Sequence, residues 1–122
     1  WSCGTLTYEM LTGLPPFYNQ NLHVMYEKII RAKLTFPDYL SADARAMLAG
    51  MLDRRPKQRL GSGVDGTNEI KKHPFYKSIN WKDLDAKKIK PSFKPTVTEG
   101  KLDVTNVDDE FKSEVPKDTP VS

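Results

Sequence analysis

Apolar and polar positions along the chain fall into three helical patterns, and they differ in how much of each helix the apolar residues cover. From Trp1 to Leu14 the only formal charge is Glu9; Cys3, Leu6, Met10 and Leu14 follow one helical face, and Tyr8 and Leu11 lie off it. A helix apolar nearly all round is usually buried, because a surface helix needs a polar face. The pattern predicts the central helix of an all-helical core, closed by a left-handed Gly13 and stopped by Pro15 and Pro16. It is too short and too interrupted to span a membrane. Taken by itself, this pattern describes an ordinary buried helix with no chemistry.

Two amphipathic helices follow. Asn19, Gln20 and Asn21 offer caps, after which Leu22, Met25, Tyr26, Ile29 and Ile30 repeat at helical spacing, with Lys28 and Arg31 on the other side. That helix is expected to end near Lys33, before an extended LTFP in which Phe36 precedes Pro37. Ser41 suits the next cap, and Ala44, Met47, Leu48, Met51 and Leu52 repeat the spacing, the methionines reading as core filler. Beyond Asp53 lies a polar loop, RRPKQRLGSGVDG. Thr67 is then expected to cap a short helix through Glu69 and Lys72, stopped by Pro74. From about residue 80, Trp81, Leu84, Ile89 and Phe93 read as occasional anchors on a chain with little regular structure. The polar, acidic stretch after Thr98 is expected to be largely disordered.

Composition changes this picture little. A chain of 122 residues has room for one domain with a modest core, and 38% hydrophobic against 29% charged residues leaves part of it outside. The single cysteine excludes an internal disulfide framework and suits a reducing, cytoplasmic setting. No signal peptide, transit peptide or transmembrane run is visible. The start at Trp1, with no initiating Met, suggests a piece of a longer protein. The net charge of +3 is unevenly spread: residues 71–94 hold eight lysines and two acids, residues 99–118 seven acids and three lysines. A basic stretch can face nucleic acid or an anionic membrane. Here it is interleaved with HPFY, INW and PSF, so a solvated lysine face is expected, with no nucleic acid and no membrane contact.

Chemistry is harder to find. There is no phosphate-binding glycine loop on a strand, no paired carboxylates and no Cys/His nucleophile pair. His73 has no second histidine at ligand spacing and reads as a packed or capping residue.

The residues nevertheless carry a resemblance. WSCGTLTYEMLTGLPPFY resembles the large-lobe helix of eukaryotic protein kinases and the turn that follows it, and RPKQRLG resembles the segment before their final helix. HPFYKSINW with PSFKP resembles the AGC group of serine/threonine kinases, and NVDDEF its tail motif Asn-Phe-Asp-x-x-Phe, with Val107 in place of the first Phe. The run from PFYNQ through LAGML, PKQRLG, SINW, FKP and DDEF is most like protein kinase B, with the ribosomal-protein kinases close behind. The resemblance implies an all-α large-lobe subdomain over residues 1–79 and an extended, largely irregular AGC tail over 80–122. It implies a parent that uses ATP and Mg2+ to phosphorylate Ser or Thr in basic protein substrates, under an upstream activating kinase. The glycine-rich loop, strand lysine, HRD and DFG motifs would precede Trp1. The 122 residues alone are therefore expected to be inactive and to need no cofactor.

Five positions take roles from the resemblance. Glu9 matches a carboxylate that pairs with a substrate arginine, which would give a buried or half-buried acid its partner. Arg59 matches the arginine that pairs with the APE glutamate, a use its planar donor fork suits. Asp108 and Phe111 match the tail motif that crosses to the small lobe, and Thr119 falls where the turn-motif phosphosite is expected. Two other classes of function stand beside the kinase: a non-catalytic interaction module, whose uncovered helices bind a partner or each other, and a basic nucleic-acid-binding domain.

Overall fold

Ser41 starts the helix on which the chain's apolar side chains converge, its hydroxyl accepting from the Ala44 N–H at 3.2 Å. In the computed structural model, which describes residues 1–97, 100, 103–115 and 117, the center of the core is this α3, Ala42–Met51. Ala44, Met47, Leu48 and Met51 are buried along it, Met47 and Leu48 at 0% exposure, with Leu40 and Leu52 at its ends. Tyr8, Leu11, Phe36, Leu60, Phe75 and Tyr76 pack partly buried around it. Arg45 braces the approach, donating to the carbonyls of Pro37, Asp38 and Leu40.

The first helix, α1 (Ser2–Thr12), is not the buried center that its pattern predicts. It flanks α3, and among its residues only Gly4 is buried; Leu6 is 58% and Met10 73% exposed. Gly4 is what lets the two helices close, since a Cβ there would lie 2.8 Å from Met51 Cβ. Tyr8 adds a tie through its hydroxyl, which donates to the Thr35 carbonyl at 3.0 Å. Gly13 ends the helix at φ 86°, its N–H on the Glu9 carbonyl, as the sequence predicts. The apolar pattern is real. Among the described residues, however, too little packs on α1 to cover more than one side.

Helix α2 (Leu22–Arg31) is capped by Asn21, which accepts from the N–H groups of His23 and Val24. Its apolar stripe is half used: Met25 and Ile29 are partly buried, and Leu22, Tyr26 and Ile30 are exposed. Past α3 a 3-10 turn, Pro56–Gln58, leads to α4 (Thr67–Lys71). Gly66, not Thr67, holds the cap position of α4, and no side chain caps it. Glu69 instead reaches back to the Gly61 N–H at 3.1 Å. His73 caps the Pro74–Tyr76 turn, accepting from the Phe75 N–H, the role expected of it.

More regular structure follows residue 80 than the sequence suggests. Asn80 accepts from the N–H groups of Lys82 and Asp83 and starts α5 (Trp81–Asp85). Tyr76 meets Trp81 edge-on at 5.4 Å, and the Trp81 indole N–H donates to the Lys71 carbonyl at 3.1 Å. A single turn, α6 (Asp109–Lys112), lies in the tail. Among the described residues there is no strand, so the all-α class stands.

Candidate functional site

Phe17 sits at φ 67°, a left-handed conformation that a bulky residue adopts only under local constraint. Coming after Pro15 and Pro16, it turns the chain back on itself, and the Phe17 ring stacks on Trp1 with centroids 6.3 Å apart and planes 11° from parallel. The loop after α3 covers these rings with cations. Arg54 lies 5.1 Å from the center of the Phe17 ring and Arg59 5.3 Å from that of Trp1. Such contacts contribute about 0.5–1 kcal/mol each where exposed.

Each guanidinium is also held by oxygen. Arg54 donates to the carbonyls of Lys28, Ile29 and Ala32 at the end of α2, sharing that of Lys28 with the Ala32 N–H. Arg59 donates through Nε to the Asp53 carbonyl at 2.8 Å. Arg55 pairs with the Asp53 carboxylate at 2.7 Å, and its side-chain and backbone hydrogen bonds hold that carboxyl at about 2, against an ordinary 3.8; the charges of Arg55 and Arg59 add to this. Among the described residues the two terminal nitrogens of Arg59 donate to nothing. A cavity of about 470 Å3 opens beside them, lined by Trp1, Ile29, Ile30, Arg54 and Arg59. Apolar walls with a half-satisfied guanidinium suit an apolar segment that ends in, or carries, a carboxylate.

The other expected positions lie apart from this cluster. Glu9 is exposed on α1, about 12 Å along the axis from Trp1 at the usual helical rise. It is not the half-buried acid expected, and among the described residues its carboxylate has no partner. Asp108 occupies the cap position of α6 without making a capping bond, and Phe111 on that turn is 61% exposed. No hydrogen bond, ion pair or ring contact joins Glu9, Arg59 and the Asp108–Phe111 turn among the described residues. Thr119 lies outside the described residues. Trp1, Phe17, Asp53, Arg54 and Arg55 were not expected at a site. The signal was the cation-rich DRRPKQR, which reads as a polar loop until the fold sets it over two aromatic rings. No three His, Cys, Asp or Glu side chains among the described residues converge to hold a metal ion.

Residues 1–76 match the family described as "Protein kinase domain". Over all 122 residues the chain is 52% identical to Serine/threonine-protein kinase gad8 of Schizosaccharomyces pombe, of which it covers 21%. Over 116 residues, 95% of the chain, it is 49% identical to the RAC family serine/threonine-protein kinase homolog of Dictyostelium discoideum, covering 25% of that protein. Over 121 residues, 98% of the chain, it is 48% identical to Ribosomal protein S6 kinase 2 alpha of Gallus gallus, covering 16% of it. The chain thus spans a quarter or less of the length of these relatives.

Proposed function

The chain belongs to the protein kinase domain family, and from that premise we propose that it is part of an AGC-group serine/threonine kinase, most like protein kinase B. Residues 1–79 form the back of its large lobe and residues 80–122 its tail. The observation that carries this reading is that the likeness to serine/threonine kinases continues past residue 76 through the tail. The whole protein transfers the terminal phosphoryl group of ATP to Ser or Thr of basic protein substrates in the cytoplasm, under an upstream kinase. No step of that transfer is assigned to the described residues.

Their roles are to receive and to position. Arg59, fixed from behind by the Asp53 carbonyl and by Trp1, offers its open edge to the glutamate of the APE motif. Glu9, exposed and without a partner among the described residues, suits an arginine brought by a substrate. Asp108 and Phe111 dock against the small lobe, for which the exposure of Phe111 leaves it available. Thr119 is the tail's phosphosite.

A chimaera in which this chain replaces the matching segment of the S. pombe relative tests the reading. Phosphotransfer to a basic peptide is expected from the chimaera and none from the 122 residues alone. Glu9→Gln is expected to lower kcat/KM about tenfold on an arginine-bearing peptide and to leave its neutral counterpart unaffected. A chimaera that folds and binds ATP without transferring phosphate overturns the assignment.

A second reading, a non-catalytic interaction module, draws on the exposed Leu6, Met10 and Ile30. Apolar patches of several hundred Å2 are uncommon on stable monomers. Self-association through α1 is its simplest form. Sedimentation over a concentration series, with Leu6→Lys as the disrupting variant, separates it from a strict monomer.

A further inference from the structure

A groove of about 440 Å3 runs between α1, the turn that follows it, and the residues that leave α2. Tyr8, Leu14, Tyr18 and Leu34 give it apolar walls, and Lys28 and Lys33 stand at its margin, with no aspartate or glutamate in the lining. Lys28 makes one long hydrogen bond, 3.4 Å to the Tyr18 carbonyl. Lys33 is exposed and, among the described residues, has no ion-pair partner. An apolar trough with an unopposed positive margin selects an apolar group next to a carboxylate.

The backbone along one side adds an independent signal. Ala32 already has extended dihedrals, φ −69° and ψ 144°. Lys33 to Phe36 then alternate exposed, half-buried, exposed, half-buried, the period-two pattern of a strand. Among the described residues none of these four N–H groups donates a hydrogen bond. The Tyr8 hydroxyl pins the segment to α1 through the Thr35 carbonyl. It is therefore an extended, anchored segment whose backbone donors are open to pairing with an extended ligand.

We propose that the groove docks an extended segment of a partner protein, with a large apolar side chain in the trough, a carboxylate on Lys33 and backbone pairing along Lys33–Phe36. This goes beyond the kinase reading, and its chemistry is the reverse of the basic peptide assigned to Glu9. Loss of one leaves the other standing.

The probe is a fluorescein-labelled peptide with Phe between aspartates in a Gly/Ser background, titrated with the 122-residue chain and read by anisotropy. Saturable binding is expected, weakened about tenfold or more by Lys33→Glu and restored by Lys33→Arg. Lys33 is exposed, so neither change disturbs the core. Peptides with Lys for Asp, or Ser for Phe, are expected to lose a similar factor. Bound peptide is expected to slow amide exchange at Lys33–Phe36. The proposal fails if binding does not saturate, if Lys33→Glu leaves it unchanged, or if protection appears elsewhere. It also fails if these amides become protected with rising chain concentration and no peptide, which would make a second copy the occupant.

Discussion

Helices α1 and α3 are nearly equal in length, 11 and 10 residues, and both are rich in apolar side chains, yet they have opposite fates. Along α3 four side-chain positions are buried; along α1 only a glycine is. The difference lies in the neighbors. Around α3 the chain places α1 on one side and Leu40, Leu60, Phe75 and Tyr76 on others. Around α1 it places α3 at Gly4 and Phe36 against Tyr8, leaving Leu6 and Met10 to solvent. An apolar pattern records that a helix is suited to being covered. It does not record which segment covers it.

Truncation on each helix is the harshest test of that contrast. Leu48→Ala, at a position with no exposure, is expected to lose about 3 kcal/mol through lost transfer energy and an unfilled cavity. Met10→Ala, 73% exposed, is expected to change stability by under about 0.5 kcal/mol. Urea unfolding of both variants gives the two numbers. Similar losses would mean that the outer face of α1 is covered in solution and that the contrast is false.

The contact between the helices comes next. Gly4→Ala would put a Cβ 2.8 Å from Met51 Cβ and 3.2 Å from two carbons of Leu52. These are a rigid Cβ and a buried side chain, so the helices must move apart, at a cost of about 1–3 kcal/mol. Gly13→Ala meets no atom within 4 Å but must hold φ 86°, which costs about 1 kcal/mol. If Gly4→Ala proves the milder of the two, the α1–α3 seam is looser than its spacing implies.

The same contrast explains which features were legible beforehand. The α3 stripe from Ala44 to Leu52 could be read because every residue that covers it lies in this chain. Gly13, Asn21, Ser41 and His73 could be read because a cap is a local event, settled within three or four residues. The burial of α1 could not, because it turns on a neighbor rather than on a period. The cap of α4 differs from its local pattern for a related reason. Glu69 reaches Gly61 across the loop, and that contact has no fixed spacing. Arg59 is legible only through resemblance, and its platform of Trp1, Phe17 and Arg54 is not legible at all, because the contacts of cation with ring join residues more than 35 positions apart.

The loop that carries α3 back to Trp1 provides the smallest and most local test. Asp53 follows the end of α3, where a negative charge is poorly placed relative to the helix carbonyls, and Arg55 offsets this at 2.7 Å. Its carboxyl titrates at about 2 in the fold, below the ordinary 3.8, chiefly because the Arg55 side chain and N–H bond the charged form. A depressed carboxyl stabilizes the fold above its unfolded pKa, and that contribution fades as pH falls from about 4 toward 2. Asp53→Asn removes the charge but keeps the backbone carbonyl that holds Arg59, so the platform over Trp1 should survive. At pH 6 the variant is expected to melt slightly below the native chain, with the gap closing as pH approaches 2 and narrowing in high salt. Thermal melts of both chains across that range measure it. A gap that stays constant from pH 6 to 2 would mean that the charge of Asp53 contributes nothing, and that the loop is held over Trp1 and Phe17 by Arg54 and Arg59 alone.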